Sequence, residues 1–380
     1  MYPLPPQVNT ALALLNQAGF EAFVVGGAVR DLLRGSPVHD WDITTSALPE
    51  QTKTVFADYR LIETGIRHGT VTVLLDGTQL EITTYRTEGT YSDHRRPDNV
   101  EFTRSLEEDL ARRDFTVNAM AYHPKAGVVD LFDGQNDLKN RIMRCVGEPD
   151  KRFQEDALRM LRALRFASRF GFTIEPETSA AIHRNRNLLT HVAAERIRDE
   201  LTGLLCGYGA DTVLRDYPDV FSVLIPELDG RNSYDLSVLP PDPILRWAAL
   251  LASPEFSHET ILRRLRLDNA TREDVLFLAA HRSTPLQSRE EVRRAVQQFG
   301  VHRTGLLLRL SCPPEQADGL LAGITQVRAA DLAVNGNDLM AFGLSGAQIG
   351  QALDALVNAV VFDGVENKKE ALLSYLAKHP

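Results

Sequence analysis

The chain has 380 residues, 43% hydrophobic and 24% charged, with a formal net charge of −9. Those proportions fit a globular chain of several domains and exclude a disordered, collagenous or disulfide-stapled one. The acidic balance also argues against a uniform nucleic-acid coat, yet residues 141–198 hold twelve Lys/Arg against seven Asp/Glu, a local +5. Of the 42 basic residues 35 are Arg, whose planar fork suits phosphates and base edges better than the point charge of Lys. The apolar run at 244–251 contains an Arg and falls far short of the roughly 20 residues that span a bilayer. Residues 1–9 carry neither a basic nor an apolar leader pattern, so a cytoplasmic protein without membrane partners is expected. Cys145, Cys206 and Cys312 are widely spaced and form no C-x-x-C pair, which removes zinc ribbons and redox motifs.

Residues 1–138 read as a mixed α/β head. Leucines at helical spacing predict a helix over 10–18, stopped by Gly19, and a short apolar strand over 21–25 runs into Gly26-Gly27. A helix follows over 28–34, then a strand over 40–44, and Pro49 opens another helix. Segments 69–75 and 79–85 alternate around Asp76-Gly77 and predict a hairpin. Residues 89–100 are polar, include Arg95 and Arg96, and read as a mobile loop. From about Asp137 strand alternation disappears, and helical patterns follow at 155–170, 261–267, 290–299 and 347–361. The expected class is therefore α+β: a head at 1–138, then helical segments at 139–200, 201–285 and 286–380.

Gly26-Gly27 ends a strand and starts a helix, which exposes backbone N–H groups at a positive helix end, a place suited to phosphate. Neither G-x-G-x-x-G nor G-K-[ST] is present, so this is not a dinucleotide or P-loop signature. Downstream, Asp40 and Asp42 are spaced to share one strand face. Two carboxylates held together repel unless a cation lies between them, and hard oxygen ligands of this kind suit Mg²⁺ completed by substrate phosphates. Glu81 occupies the polar face of the 79–85 strand and would add a third carboxylate if that strand lies alongside. A solvated acidic pair is the competing reading. His39-Asp40 does not make an HD-phosphohydrolase site, because the dipeptide enters a strand and His68 and His94 lack the required helical arrangement.

Gly26-Gly27, twelve residues and Asp40-x-Asp42 together resemble the signature of the nucleotidyltransferase superfamily that includes DNA polymerase beta. The fuller pattern is similar to class II tRNA nucleotidyltransferases, the bacterial CCA-adding enzymes and their poly(A) polymerase relatives. Arg112-Arg113-Asp114-Phe115-Thr116-Val117-Asn118-Ala119 resembles the family's R-R-D-F-T-x-N-A motif. Asp130 through Leu138 matches D-x-x-x-G-x-x-D-L, Glu155-Asp156-x-x-Arg159-x-x-Arg162 matches the nucleotide-selecting helix, and residues 329–340 resemble a tail stretch.

The resemblance implies template-independent addition of CCA to the 3′ end of tRNA from CTP and ATP. It implies catalysis and metal binding at Asp40 and Asp42, with Glu81 beside them and Mg²⁺ as cofactor. Gly27 and Arg30 would hold triphosphate, while Arg113 and Asn118 would orient nucleotide and ribose. Asp156 and Arg159 would read the Watson–Crick edge shared by C and A, an amino donor beside a ring acceptor, with Arg162 and Arg165 near the nucleotide. Within the class, a CC-adding or A-adding enzyme or a poly(A) polymerase shares most of these motifs. A tRNA-binding protein without catalysis is the different-class rival, but it would need no acidic pair.

Overall fold

The computed structural model describes residues 2–88, 100–229 and 236–379. The polar loop read at 89–100, with Arg95 and Arg96, lies outside the described residues apart from Val100. The chain divides into two compact units, residues 1–237 with 260–267, and residues 238–259 with 268–380.

The first unit opens with α1 (Pro6–Gln17), which buries Val8, Ala11, Leu12 and Leu15 on one stripe. There follow β1 (Ala22–Val25), α2 (Gly27–Leu33), β2 (Asp42–Thr45), α3 (Pro49–Val55) and β3 (Arg60–Ile62). Next come β4 (Thr70–Leu75), β5 (Thr78–Thr84), β6 (Arg86–Glu88), β7 (Val100–Phe102), α4 (Leu106–Ala111), β8 (Met120–His123) and β9 (Gly127–Asp130). Seven strands form one sheet in the order β3-β4-β5-β2-β1-β8-β9, and β6 pairs separately with β7. Every contact in the large sheet is antiparallel except β2 with β5. Asp76 (φ 45°) and Gly77 (φ 80°) make the hairpin turn between β4 and β5, the conformation that Asp-Gly adopts at low cost. Leu12, Leu15, Val24, Ile43, Phe56, Val71, Leu80 and Ile82 share the core of the head. The α+β class expected from the sequence is the one observed.

Beyond the sheet lie α5 (Gly134–Asn140), β10 (Ile142–Met143), α6 (Pro149–Glu155), α7 (Leu158–Phe170), β11 (Thr173–Ile174), α8 (Pro176–Asn185), α9 (Ala194–Leu205), α10 (Ala210–Asp216) and α11 (Pro218–Leu224). Two expectations are corrected here. Strand structure does not end at Asp137, because β10 and β11 form a short parallel pair. The helix expected over 155–170 is broken, with Asp156 extended at φ −140° and ψ 105° between α6 and α7.

Gly134, at the start of α5, lies so close to the 116–118 turn that a Cβ there would stand 2.3 Å from the Thr116 carbonyl oxygen. Gly134→Ala is expected to destabilise the first unit by about 1–3 kcal/mol, as overpacking does. Gly319→Ala, where a Cβ meets nothing within 4 Å, should leave stability level or slightly raised. Urea unfolding of both variants beside wild type checks this; equal midpoints for the two would refute it.

Helix α13 (His258–Arg264) has residues in both units. The second unit is otherwise helical among its described residues: α12 (Pro243–Leu250), α14 (Asn269–His281), α15 (Arg289–Ser311), α16 (Pro314–Leu321), α17 (Gly336–Ala341), α18 (Ala347–Phe362) and α19 (Lys369–Lys378). Gly300 (φ 82°) kinks α15, so the helix expected over 290–299 is its first arm. Leu332, Leu339, Leu356, Leu372 and Leu376 form a separate small core near the C-terminus. Among the described residues no helix is long and apolar enough to cross a membrane.

Candidate active site

Strand β2 starts at Asp42, and β5 runs parallel beside it with Glu81 directly opposite. The sheet therefore brings together two carboxylates separated by 38 intervening residues. Protein packed around the exposed rim position of Asp42 withdraws solvent from its carboxyl, and Glu81 adds repulsion; both push it above the usual carboxylate range. Arg113 pulls the other way and Asp40 adds a further push. Asp40 is exposed and precedes the strand instead of opening it, so the expected strand alternation over 40–44 holds only from Asp42. Ile43 faces the core as expected.

The face of β2 away from Ile43 is covered by a charged segment, of which the sequence reading singled out Arg112 and Arg113 but not Asp109. Buried Asp109, on α4, accepts from Thr44 Oγ1 at 3.1 Å and pairs with Arg112 at 2.8 Å and Arg113 at 3.3 Å. Burial alone would raise Asp109, but Arg112 and Arg113 hold it below its ordinary value. Its i,i+3 and i,i+4 spacing to those arginines was the available signal. Asp109 thereby tethers Arg113, whose side chain lies against the glycine turn: a Cβ on Gly26 (φ 73°) would meet Arg113 Nη1 at 3.1 Å. Arg113 Nε is buried without a hydrogen-bond partner among the described residues.

Arg30, on α2, is engaged within the protein. Its guanidinium is engaged bidentately by Asp31 at 2.9–3.0 Å and donates Nη1 to Asn118 Oδ1 at 2.7 Å. It holds Asn118 and lies against the glycine turn, where a Cβ on Gly27 would meet its Nη2 at 3.5 Å. Asn118 in turn donates Nδ2 to Asp114 Oδ1 at 3.1 Å, and Arg162 grips Asp114 Oδ2 at 2.8 Å. Burial would raise Asp114, yet Arg162 and the Asn118 amide keep it low. Glu200 on α9 joins Arg162 at 3.6 Å and Arg165 more closely. A continuous polar chain thus links α2, the 116–118 turn, α7 and α9.

The expected Asp156–Arg159 pairing on one helix face is also corrected. Asp156 stands in the break before α7, accepts from Leu158 N at 3.0 Å and is bound by Arg196 at 2.9 Å. Arg159 is buried, reaching Glu155 at 2.7 Å and the Arg112 carbonyl at 3.3 Å. Asp156 still lies close enough to Arg162 to raise that guanidinium's pKa, after Asp114 and Glu200. Arg196 and Glu200 carried no local sequence signal, because their partners lie 40 and 35 residues away.

The donor set at Asp42 and its neighbours is hard carboxylate oxygen with unrelieved repulsion, which fits a divalent cation. Among the described residues no group of three or more His, Cys, Asp or Glu side chains is placed to hold an ion unaided.

The fold and this site define a nucleotidyltransferase with a poly(A) polymerase-type head. The Poly A polymerase head domain family matches residues 22–144. The family described as "Probable RNA and SrmB- binding site of polymerase A" matches 171–230, and a tRNA nucleotidyltransferase domain 2 family matches 242–376. A CCA-adding enzyme of Lactobacillus delbrueckii subsp. bulgaricus is 39% identical over 98% of this chain and 97% of its own length. The solved CCA-adding enzyme of Bacillus stearothermophilus, in complex with CTP, superimposes with a TM-score of 0.79 at 34% identity, covering 99% of this chain and 98% of that one. The Thermotoga maritima CCA-adding enzyme complexed with tRNA shares the fold at TM-score 0.69 and 21% identity, covering 99% and 97%. The chain belongs to the CCA-adding enzyme family. Nucleotidyltransferases of this kind typically use a divalent metal ion.

Proposed function

We propose that the chain adds C, C and A to the 3′ end of tRNA from CTP and ATP, with Asp40, Asp42 and Glu81 at the reacting centre. The activity follows from family membership. The residue assignment rests on one observation, the parallel register of Asp42 and Glu81 beside the Gly26–Gly27 turn.

Asp40 and Asp42 would hold Mg²⁺. When bound there, Mg²⁺ lowers the pKa of the attacking 3′-hydroxyl and neutralises charge on the triphosphate. Glu81 orients the primer end. The backbone at Gly27 and the Arg113 guanidinium receive phosphate oxygens, and Arg30 holds Asn118 in the orientation that presents it to the ribose. Asp156 accepts the exocyclic amine of C or A, and Arg196 fixes the carboxylate for that task. Arg159 buttresses the segment through Glu155 and the Arg112 carbonyl, while Arg162 and Arg165 line the nucleotide side. A wrong base would leave a buried polar group unpaired, at about 1–3 kcal/mol per group. The helical segments 139–200, 201–285 and 286–380 serve as neck, body and tRNA-gripping tail, and the protein works in the cytoplasm.

The deciding experiment offers tRNA transcripts ending at the discriminator, after C, or after CC, with CTP, ATP or both. Two additions from CTP alone and a third only when ATP is present are expected. Products that stop at CC with both nucleotides, or run on as poly(A), would replace this reading with a CC-adding enzyme or a poly(A) polymerase.

A further inference from the structure

The C-terminal ends of α2 and α7 carry an arginine-rich surface beside the nucleotide site, which uses only Arg30 of it. Three guanidiniums surround the Phe170 ring: Arg34 at 4.3 Å from its centroid, Arg30 at 4.7 Å and Arg169 at 5.7 Å. Phe170 stacks on Phe166 at 5.6 Å on one side and meets Phe172 at 5.6 Å on the other. Next to Phe172, Thr173 N donates to the Arg141 carbonyl at 2.8 Å, which brings Arg141 to the same edge. Arg141 and Arg169 are exposed, and neither has a carboxylate partner among the described residues. Elsewhere many surface arginines are matched, as Arg184 is to Asp150, Arg264 to Glu227 and Arg309 to Asp318. Asp31, which faces Arg30 and Arg34, is the acid opposing this patch.

An aromatic side chain is held out beside the patch. Tyr208 is 88% exposed, in the turn between α9 and α10. The turn is clamped against the end of α7: Gly209 N donates to the Ser168 carbonyl at 2.9 Å. A Cβ on Gly207 would stand 2.1 Å from Ser168 Oγ and 2.8 Å from Arg169 N. The backbone can approach that closely only with glycine at 207, and this contact places Tyr208 next to Arg169 at a cost in apolar exposure that packing does not explain.

Three guanidiniums around one ring share the single acid Asp31, which pairs with Arg30 and Arg34 and leaves Arg169 and the nearby Arg141 without a carboxylate among the described residues. With a projecting tyrosine alongside, this matches the two demands of an RNA strand, phosphate neutralisation and stacking on a base or ribose. We infer that Arg34, Arg141, Arg169 and Tyr208 form a contact surface for the phosphate backbone of the RNA substrate, distinct from the site that holds the incoming nucleotide. Like-charge proximity accords with it: burial first, then Arg30, Arg169 and Arg141, lower the pKa of Arg34 against the pull of Asp31. The inference rests on the tRNA reading above and adds the surface by which the substrate is held. Because Arg30 touches both Phe170 and Asn118, the surface adjoins the nucleotide site without sharing its donors.

The test uses the full chain and a tRNA transcript ending at the discriminator. The Arg141→Ala/Arg169→Ala double variant should raise KM for tRNA about fivefold or more, leaving KM for CTP and kcat at saturating tRNA unchanged. Its plot of log binding constant against log salt should lose roughly 0.7–0.9 of slope per lost contact. Tyr208→Ala should weaken tRNA binding with the slope intact, and Tyr208→Phe should restore it. The lysine double variant, Arg141→Lys/Arg169→Lys, should keep the slope. Wild-type affinity and slope in the alanine double variant, with Tyr208→Ala also unchanged, would overturn the inference alone. A wild-type chain that binds no tRNA would bring down the functional reading and this inference with it.

Discussion

Asp42→Ala is expected to lower nucleotide transfer at least a hundredfold, about 2.7 kcal/mol of transition-state stabilisation. The cause is local: Asp42 faces Glu81 across a parallel register and lies near Asp40 and Arg113, so its removal would take away a central carboxylate of the proposed metal site. Asp40→Ala should have an effect of the same order, although Asp40 stands before the strand. tRNA binding, measured by filter retention, should persist in both variants because neither carboxylate contacts the helical segments proposed to grip tRNA. Melting curves should stay within a degree or two, since both side chains are exposed. Transfer above about a tenth of the wild-type rate in both variants would sink the metal assignment.

Asp156→Ala is expected to reduce kcat/KM for CTP and ATP relative to UTP and GTP by roughly 1–3 kcal/mol, about 5- to 150-fold. The side chain has two tasks in the structure, accepting from Leu158 N at the start of α7 and pairing with Arg196. Alanine removes the base acceptor and also this local cap, so a stability loss of about 1 kcal/mol should accompany the change in specificity. Arg196→Ala separates the two, because it releases the Asp156 carboxylate from its tether while leaving the cap acceptor in place. That variant should relax discrimination without the full stability loss, and residual turnover in both should still require Mg²⁺. Unchanged discrimination against UTP and GTP in both variants would show that this segment does not select the base.

Much of this site could be read in the sequence because its short-range signals are strong. Asp-Gly between two alternating runs predicts the β4–β5 hairpin, and period-two alternation puts Glu81 opposite Leu80 and Ile82. The place of Asp40 was misread because strand alternation does not say where pairing stops. Val24 pairs with Ile43, and the chain turns away at Gly26, so on the β1 side Asp40 has no strand to pair with. The break at Asp156 was missed for a related reason. Leu158, Leu161 and Leu164 report a helix but not its first residue, and an Asp two positions upstream was an unused start signal. The links from Asp156 to Arg196, from Asp114 to Arg162 and from Arg165 to Glu200 span 35 to 48 residues. No local pattern encodes them.

Those same long spans impose a timetable on synthesis. Asp42 and Glu81 can meet once the chain has emerged through Thr84, because β2 and β5 need only the intervening α3, β3 and β4. The groups proposed to choose and orient the nucleotide cannot settle until Glu200 is out, since Asp114, Asp156, Arg162 and Arg165 all take partners from α7 or α9. For an interval of more than a hundred residues the nascent chain would carry its acidic pair without the framework that selects a base. Domains fold largely in the order they leave the ribosome, so in this protein the carboxylates proposed to bind an ion come together before the framework proposed to discriminate between bases.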